Sequence, residues 1–291
     1  MSIGNNGNKI SVAIVHLIWL PYGIEWFQYF ISSYKKFASG FPHNLVLLFN
    51  GVMNKDDTNA YHEYALQQGL VYDSYYREKG QDLEVYFWIA RQLSVEYVLF
   101  LNSYSILLSQ NWLYKYMNIV IKEKRIGVIS ATGSYQSYYS SLLYENSWRW
   151  EKDNSFRVNW RKYKLLIKTI FFYRFCFKPF PNPHIRTNAF LINKELFLSL
   201  KFKVPEDKFR AYQFESGRTG LTNQLLRKNL RVLIVDVFGN FYEMTNWYQS
   251  RTFWTSNQEN LLVSDNQTGI YQDATSAERA KMSYNAWRVY E

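Results

Sequence analysis

Cysteine is almost absent from this chain, which has Cys176 alone among 291 residues. One cysteine cannot form a disulfide within the chain, so a disulfide-stapled secreted fold is excluded and a reducing compartment is favoured. The N-terminal stretch MSIGNNGNKI has no apolar signal core, and no uncharged apolar run reaches the ~18 residues that a membrane-spanning helix needs. We therefore expect a cytoplasmic protein.

Two common nucleotide-binding motifs are also missing. The chain contains neither a Walker sequence nor a G-x-G-x-x-G fingerprint, so ATP hydrolysis and dinucleotide oxidoreduction have no support. Aromatic residues, in contrast, make up 19% of the chain, and Tyr is the most frequent of them. Tyrosine suits half-wet grooves that hold sugars or bases. The chain is long enough for one large domain with a sizeable core.

Positive charge is concentrated in one segment. The net charge is +10, and residues 148–178 hold nine basic residues against two acidic ones. If this insertion is helical, two faces are expected, a cationic one with Arg161, Lys164 and Lys168 and an apolar one with Leu166, Ile170 and Tyr173. Three interpretations stay open: a helix on an anionic membrane surface, a nucleic-acid-binding surface, or an ordinary insertion packed on the core.

Short apolar stretches alternate with amphipathic ones over the first half of the chain. Strands are predicted at Ser11–Leu20, Asn44–Phe49, Leu70–Tyr72, Glu96–Leu101 and Ile126–Ser130, with helices between them. This alternation predicts an α/β fold with a mostly parallel central sheet and helices on both faces. The pattern weakens after about Trp247, so we expect one domain over 1–246 and a C-terminal tail, 247–291, packed on it.

The order of strands, the helix start at Gly80–Asp82 and the polar break after the fourth strand resemble GT-A-fold (Rossmann-like) glycosyltransferases. Five stretches resemble a group of bacterial glycosyltransferase-like proteins: LFLNSYS, SATGSYQS, FPNPHIRTNAFLI, FESGRTGLTNQLL and LLVSDNQT. The resemblance covers most of the chain. It implies sugar transfer from a nucleotide-sugar donor to a saccharide or lipid-linked saccharide in bacterial surface polysaccharide or lipopolysaccharide synthesis. Such an enzyme would sit at the inner face of the cell membrane.

The polar break differs from that of metal-dependent members of this fold. Those enzymes hold Mg²⁺ or Mn²⁺ with carboxylates at the end of the fourth strand, where this chain has Asn102-Ser103-Tyr104. Hard cations prefer at least one anionic oxygen ligand, and neither Asn102 nor Ser103 supplies one. We expect no metal here, although Mg²⁺ or Mn²⁺ elsewhere stays open. Asn102 and Ser103 are then predicted to hydrogen-bond the donor, the alternative being that they merely end a strand.

A departing nucleoside diphosphate still needs its charge balanced. Arginine can do this by forking onto phosphate oxygens, and the candidates are Arg186 and Arg218, with His184 beside them. Each could instead be a solvated surface charge. His184 is also a candidate for contact with the acceptor, as are Trp148 and Trp150 of the insertion.

Glu215 is the candidate general base. It stands before a glycine turn and a predicted helix, where the resemblance places the carboxylate of an inverting enzyme, which removes the proton of the acceptor hydroxyl. It could instead pair with Arg218 or cap the helix. Asp82 is also possible as the base and is assigned to the donor site, but its position as a helix cap is a sufficient explanation for it. Asn50 and Asp73 are assigned to the donor by analogy with the fold.

Two other functions compete with this interpretation. The chain could be a non-catalytic protein of the same fold that binds nucleotides or glycans. Less favoured is a basic nucleic-acid-binding protein, whose affinity would fall steeply with salt. We expect no nucleic-acid partner.

Overall fold

A central eight-stranded sheet organises the part of the chain that the computed structural model describes, residues 10–143, 160, 163–164, 167–203 and 208–289. The strands are β1 Val12–Trp19, β2 Asn44–Asn50, β3 Asp73–Arg77, β4 Tyr97–Leu101, β5 Ile106–Leu107, β6 Ile126–Ser130, β7 Gly133–Ser134, β8 His184–Ile185, β9 Phe190–Asn193, β10 Arg231–Val235, β11 Phe241–Tyr242 and β12 Val263–Ser264. Their order in the sheet is β11-β10-β6-β9-β4-β1-β2-β3, and β12-β5 and β7-β8 form separate pairs. In the described part of the eight-stranded sheet, β9 and β11 run antiparallel to their neighbours and the other pairings are parallel, whereas both separate pairs are antiparallel.

Helices cover both faces of this sheet. They are α1 Glu25–Lys36, α2 Asn59–Gln67, α3 Asp82–Gln92, α4 Trp112–Lys122, α5 Lys194–Leu198, α6 Lys208–Ser216, α7 Leu221–Arg227, α8 Asn266–Asp273 and α9 Ser276–Trp287. One core cluster joins the sheet to α1, α2 and α4, and the other joins it to α3, α5, α6, α7 and α9. The prediction of a mostly parallel sheet between two helical layers is confirmed.

The sequence of β1 explains why it lies at the centre. The strand reads VAIVHLIW, and its first seven residues are all buried. A strand covered on both faces needs apolar side chains in both directions, so it shows a continuous apolar run instead of alternation. β1 pairs in parallel with β2 on one side and with β4 on the other. In open α/β sheets, ligands bind at such a switch point, beyond the carboxyl ends of the strands.

Two details differ from the sequence-based predictions. The third strand is Asp73–Arg77, and the predicted strand Leu70–Tyr72 is wrong. Residues 247–291 contain two helices, α8 and α9, and bury Trp247, Phe253 and Trp287 in the core. The division of the chain near Trp247 stays a prediction.

Within the described ranges, no helix is both long enough and apolar enough to cross a bilayer.

Candidate active site

A pocket of about 550 Å³ lies at the switch point, between the carboxyl ends of β1 and β4. We call it the rim pocket. Its walls come from the end of β1, the start of α3, the turn after β4, the segment before β9, α6 and the start of α8. The lining residues are Trp19, Tyr22, Gly80, Gln81, Asp82, Leu83, Asn102, Ser103, Tyr104, Thr187, Ala211, Tyr212, Glu215 and Asn266. Four predicted site residues therefore share one cavity: Asp82, Asn102, Ser103 and Glu215.

The turn after β4 is held together by its own polar side chains. Asn102 Oδ1 accepts hydrogen bonds from the Tyr104 amide at 3.0 Å and the Ser105 hydroxyl at 3.2 Å. The backbone amide of Asn102 donates to Asn188 Oδ1 at 3.0 Å, which ties the turn to the segment before β9. Ser103 Oγ accepts from the Trp19 amide at 3.0 Å and so joins the ends of β1 and β4. Asn102 and Ser103 thus build the floor of the rim pocket.

These contacts decide whether a divalent cation fits after β4. The one oxygen of the Asn102 side chain accepts from the Tyr104 amide and shares the Ser105 hydroxyl proton with Asn188, and Ser103 offers only a neutral hydroxyl. Mg²⁺ and Mn²⁺ are held chiefly by carboxylate oxygens. In the described part of the chain, no cluster of three or more His, Cys, Asp or Glu residues could hold a metal. The residues that follow β4 therefore do not fit the metal that the fold resemblance implies.

Glu215 lies on α6 with one carboxylate oxygen fixed. Glu215 Oε1 accepts from the Thr187 amide at 2.9 Å and from the Thr187 hydroxyl at 3.1 Å. Both bonds come from one residue of a rigid segment, so they set the direction of the carboxylate. No described residue donates a hydrogen bond to the other oxygen, Glu215 Oε2. The Glu215 side chain lines the rim pocket.

Asp82 is the second carboxylate of the rim pocket and the first residue of α3. Asp82 is exposed by accessible surface, so its carboxylate reaches the water of the cavity, although the surrounding protein atoms desolvate it in part. That desolvation raises the pKa of Asp82, and the charge of Glu215 raises it further, while the backbone amide of Asp82 acts in the opposite direction. The two carboxylates are thus electrostatically coupled across one cavity.

The N-terminus of α3 faces the same cavity. Gln81, its N-cap, makes no side-chain capping bond, and Gly80, Gln81 and Leu83 line the rim pocket. The first amides of a helix have no partner within the helix and carry its positive dipole end. This end of α3 can therefore accept a negatively charged ligand.

Aromatic rings form the outer wall. The ring of Tyr104 lies 4.8 Å from that of Tyr22 and 4.7 Å from that of Trp26, between centroids. Burial raises the pKa of Tyr104 to about 12, with smaller contributions from a hydrogen bond to Tyr22 and from the charge of Asp82. Tyr104 is therefore a neutral phenol at physiological pH and can donate a hydrogen bond beside an apolar ring face, as sugar-binding grooves often require.

Two predicted donor residues lie outside the rim pocket. Asn50, at the end of β2, is 1% exposed and donates from Nδ2 to the Gly80 carbonyl at 2.8 Å, so it supports the pocket wall from behind. Asp73 is the first residue of β3 and pairs with Val46, whereas Arg77 pairs with Asn50. Because β2 and β3 are parallel, Asp73 lies at the far end from the pocket, and Arg77 occupies the position that was assigned to Asp73.

The predicted cations also lie elsewhere. Arg186 forms an ion pair with Asp265 Oδ2 at 3.2 Å, and its guanidinium lies 4.3 Å from the centroid of the Phe253 ring. Arg218 donates from Nε to the Arg174 carbonyl at 2.9 Å. Of the residues that the structure describes, those lining the rim pocket include no lysine or arginine. The prediction that arginines face the diphosphate is therefore not supported by their placement.

His184 is buried beside the rim pocket and not in it. Its Nδ1 lies 2.8 Å from the Asn182 carbonyl. Burial lowers the pKa of His184, and Glu215 opposes that shift only in part. A histidine with a lowered pKa is neutral at physiological pH, so His184 cannot supply the charge expected of it. Trp148 and Trp150 lie outside the described residues.

Sequence reasoning missed Thr187 and Asn188. Both precede β9, which starts at the pocket edge because it runs antiparallel to β4. Nothing in the sequence marks β9 as antiparallel, so the contacts of these residues with Glu215 and Asn102 could not be predicted. The stretch RTNAF does hold small polar residues before a strand, a signal for a turn that carries ligands.

Comparison with known proteins gives only distant matches. No protein-family model and no curated protein matches the chain. One similar solved structure is S. aureus TarS 1-349, with 12% identity, coverage of 95% of this chain and 70% of TarS, and a TM-score of 0.44. Against TarS 1-349 in complex with UDP-GlcNAc, the match covers 42% of this chain and 34% of the other, at 16% identity and a TM-score of 0.32.

A further similar structure is glucosyl-3-phosphoglycerate synthase from Mycobacterium tuberculosis in complex with Mn²⁺, uridine diphosphate and phosphoglyceric acid. Its identity is 14%, the match covers 76% of this chain and 64% of the other, and the TM-score is 0.40.

Proposed function

We propose that this chain is a glycosyltransferase that moves a sugar from a nucleotide-sugar donor to a hydroxyl group of a glycan acceptor. The observation that carries the proposal is the rim pocket, in which Glu215 is fixed by Thr187 and faces the turn after β4. The resemblance of the stretches around Asn102, Thr187 and Glu215 to glycosyltransferase-like proteins supports the same reaction.

Glu215 acts as the general base in this mechanism. Its Oε2 takes the proton of the acceptor hydroxyl while the hydroxyl oxygen attacks the anomeric carbon. The new bond joins that oxygen to the anomeric carbon, and the bond from the anomeric carbon to the phosphate oxygen breaks, so the nucleoside diphosphate leaves with the electron pair. A single base on the acceptor side is the arrangement of an inverting transfer.

The N-terminus of α3 stabilises the departing diphosphate. The amides of its first turn and its dipole attract anions, and they take the role predicted for arginines, of which none lies among the described residues that line the rim pocket. No step of this mechanism uses a metal ion, because the turn after β4 offers no suitable ligands.

The rest of the proposal concerns the acceptor and the residues that contact it. The aromatic wall of Tyr22 and Tyr104 stacks against a sugar, and the acceptor belongs to a surface polysaccharide or lipopolysaccharide, built on the cytoplasmic face of the membrane. Residues 148–178 provide the membrane or acceptor contact.

Donor binding is tested by a thermal-shift screen of nucleotide sugars, run with EDTA and with Mn²⁺. We expect one nucleotide sugar to raise the Tm by several degrees at saturating concentration, since binding at 100 times Kd stabilises by about 2.7 kcal/mol. The shift should be the same with EDTA and with Mn²⁺.

Two matched variants locate the binding. Ala211→Phe places a ring in the rim pocket, whereas Ala60→Phe places one on the exposed side of α2. The first should abolish the shift and the second should keep it. A shift that survives Ala211→Phe, or a complete screen without any shift, would contradict the proposal.

A further inference from the structure

A second, strongly basic cavity lies on the other side of α6. We call it the basic pocket; its volume is about 950 Å³, and its cations are Lys201, Lys203, Arg210, Arg227 and Lys228. No acidic residue of the described chain lines it. Lys201, Lys203 and Lys228 make no ion pair with another described residue.

The basic pocket has a defined frame. Gln224 accepts from the Lys201 amide at 2.7 Å and donates to the Lys201 carbonyl at 3.0 Å, which fastens the chain after α5 to α7. Arg227 donates to the Arg218 carbonyl at 2.9 Å. Burial lowers the pKa of the neighbouring Lys178, and the charges of Arg218 and Arg227 lower it further. Arg218 and Arg227 therefore contribute to the positive potential around Lys178.

An exposed aromatic strip borders this pocket. It follows the π-helical turn Thr169–Tyr173 and the short helical stretch Arg174–Cys176. Phe171 is 64% exposed and Phe175 80%, while Phe172 is 49% exposed and also lines the basic pocket. Ile167 and Ile170 are exposed on the same segment. Large apolar side chains that project into water next to a charged cavity mark an interaction surface.

The other side of the strip is firmly anchored. The rings of Tyr173 and Phe177 lie 5.6 Å and 5.8 Å from that of Phe209 on α6, between centroids, and Phe177 is completely buried. The exposed phenylalanines are therefore presented by an ordered support.

We propose that the basic pocket and the aromatic strip together form a docking surface for an anionic lipid bilayer. A headgroup phosphate lies in the basic pocket, and Phe171, Phe172 and Phe175 enter the acyl boundary. Cations beside apolar side chains match the two layers of such a bilayer. Trp160 and Tyr163, which stack at 6.1 Å, and Lys164 lie at the other end of the segment and suit the headgroup level.

A bilayer explains the strip better than a nucleic acid does. Bases stack on aromatic rings, but Ile167 and Ile170 offer no π-face and gain only from burial in an apolar phase.

This inference deepens the proposed function and rests on it in one respect. Ala211, Tyr212 and Glu215 face the rim pocket from α6, and Phe209 and Gln213 face the basic pocket. A bilayer at the basic pocket would thus hold a lipid-linked acceptor one helix away from Glu215.

Vesicle flotation tests the inference without any sugar transfer. The full chain is mixed with vesicles of phosphatidylcholine alone, or of phosphatidylcholine with an equal part of phosphatidylglycerol. We expect binding to the mixed vesicles only. The double variant Lys203→Glu/Lys228→Glu should bind the mixed vesicles at least about tenfold more weakly, because each cation near the membrane surface contributes to the attraction. Phe171→Ser/Phe175→Ser should also weaken binding.

The matched control is Lys124→Glu/Lys281→Glu, which changes the net charge equally at exposed positions outside the basic pocket. It should bind nearly as well as the wild type. Equal losses in both charge variants, or no flotation with anionic vesicles, would overturn the proposal.

Two further arms identify other ligands. Stabilisation by inorganic pyrophosphate that is lost in Lys203→Glu/Lys228→Glu, without vesicle binding, would assign the pocket to a free phosphate ligand and overturn the bilayer. Tighter binding to a single-stranded oligonucleotide than to vesicles would overturn it in favour of nucleic acid. Thermal shift by nucleotide sugars, measured on the same variants, reports separately on the rim pocket.

Discussion

His16 occupies a central position of β1, where it is completely buried, and no described residue forms a hydrogen bond with either ring nitrogen. Its ring stacks on Phe30 with centroids 3.7 Å apart. Burial lowers the pKa of His16 from 6.5 to about 3. The folded protein therefore keeps His16 neutral at pH values where the unfolded chain already binds a proton.

The sign of the pH effect follows from this difference. Between pH 6.5 and about 3, the unfolded state binds the additional proton, so the free energy of unfolding falls as the pH falls. In His16→Leu this contribution is gone. We expect the free energy of unfolding of the variant, relative to that of the wild type, to increase by about 1.4 kcal/mol for each unit that the pH falls below 6.5.

Urea unfolding at neutral and at mildly acidic pH measures this change. His62→Gln is the control, because His62 has Tyr72 and Tyr76 as hydrogen-bond partners and its pKa is lowered less deeply. Parallel pH curves for wild type and His16→Leu would show that the folded protein protonates His16 and would contradict the account.

Some site residues could be predicted one by one, and others could not. Asn102, Ser103 and Glu215 follow or precede recognisable strand and helix signals, so their positions at one sheet edge were readable. The contacts of Arg186 were not, because its partner Asp265 stands 79 residues later in the chain. An arginine in a turn-like stretch looks the same in the sequence whether it faces phosphate or a buried carboxylate.

At the level of elements, the start of α3 shapes the rim pocket. Gly80 has a φ of +150°, and a Cβ atom there would lie 2.8 Å from Val85 Cγ2. Its carbonyl also accepts the hydrogen bond from Asn50. A side chain at this position must displace Val85 or the turn, and either movement changes the N-terminus of α3.

Gly80→Ala should therefore lower the free energy of unfolding by about 1–3 kcal/mol and weaken nucleotide-sugar binding as well. Gly69→Ala is the matched control, since Gly69 also has a positive φ, +70°, but nothing lies within 4 Å of its added Cβ. Gly69→Ala should lower the free energy of unfolding by about 1 kcal/mol and leave donor binding unchanged. Chemical denaturation and thermal shift measure both quantities, and equal donor affinity in Gly80→Ala and wild type would argue against a role for α3.

Elements with strong periodicity were predictable and short ones were not. β1, β2, β4, β6, α4 and α7 follow apolar patterns in the sequence. α8 and α9 lack such a pattern, yet both begin with a capping box, Asp265 with Thr268 and Thr275 with Glu278. This signal is local and readable, and it would have placed two helices where a tail was expected.

For the molecule as a whole, the C-terminal segment completes the wall of the rim pocket. Asn266 lines the pocket, and Asp265 beside it caps α8 and pairs with Arg186. The Asp265 side chain is 2% exposed and that of Arg186 19%. The ion pair therefore joins the two distant parts of the chain at the edge of the site.

Asp265→Asn keeps the cap, because asparagine also caps helices, but leaves Arg186 without its carboxylate. We expect a loss of about 2 kcal/mol in the free energy of unfolding, below the value for a fully buried pair. Glu259→Gln removes the exposed pair with Arg251 and should lose less than about 1 kcal/mol. Similar losses in the two variants, by urea unfolding, would contradict the structural role of the Arg186 pair.

The central claim is that Glu215 removes the proton of the acceptor hydroxyl in the rim pocket. Its most direct test is the rate of sugar transfer by Glu215→Gln, measured with the donor found by thermal shift and compared with Glu63→Gln, an exposed carboxylate on α2. The account predicts that Glu215→Gln binds the donor but transfers about 10²–10⁴-fold more slowly, while Glu63→Gln is unchanged. Transfer at the wild-type rate by Glu215→Gln would contradict it.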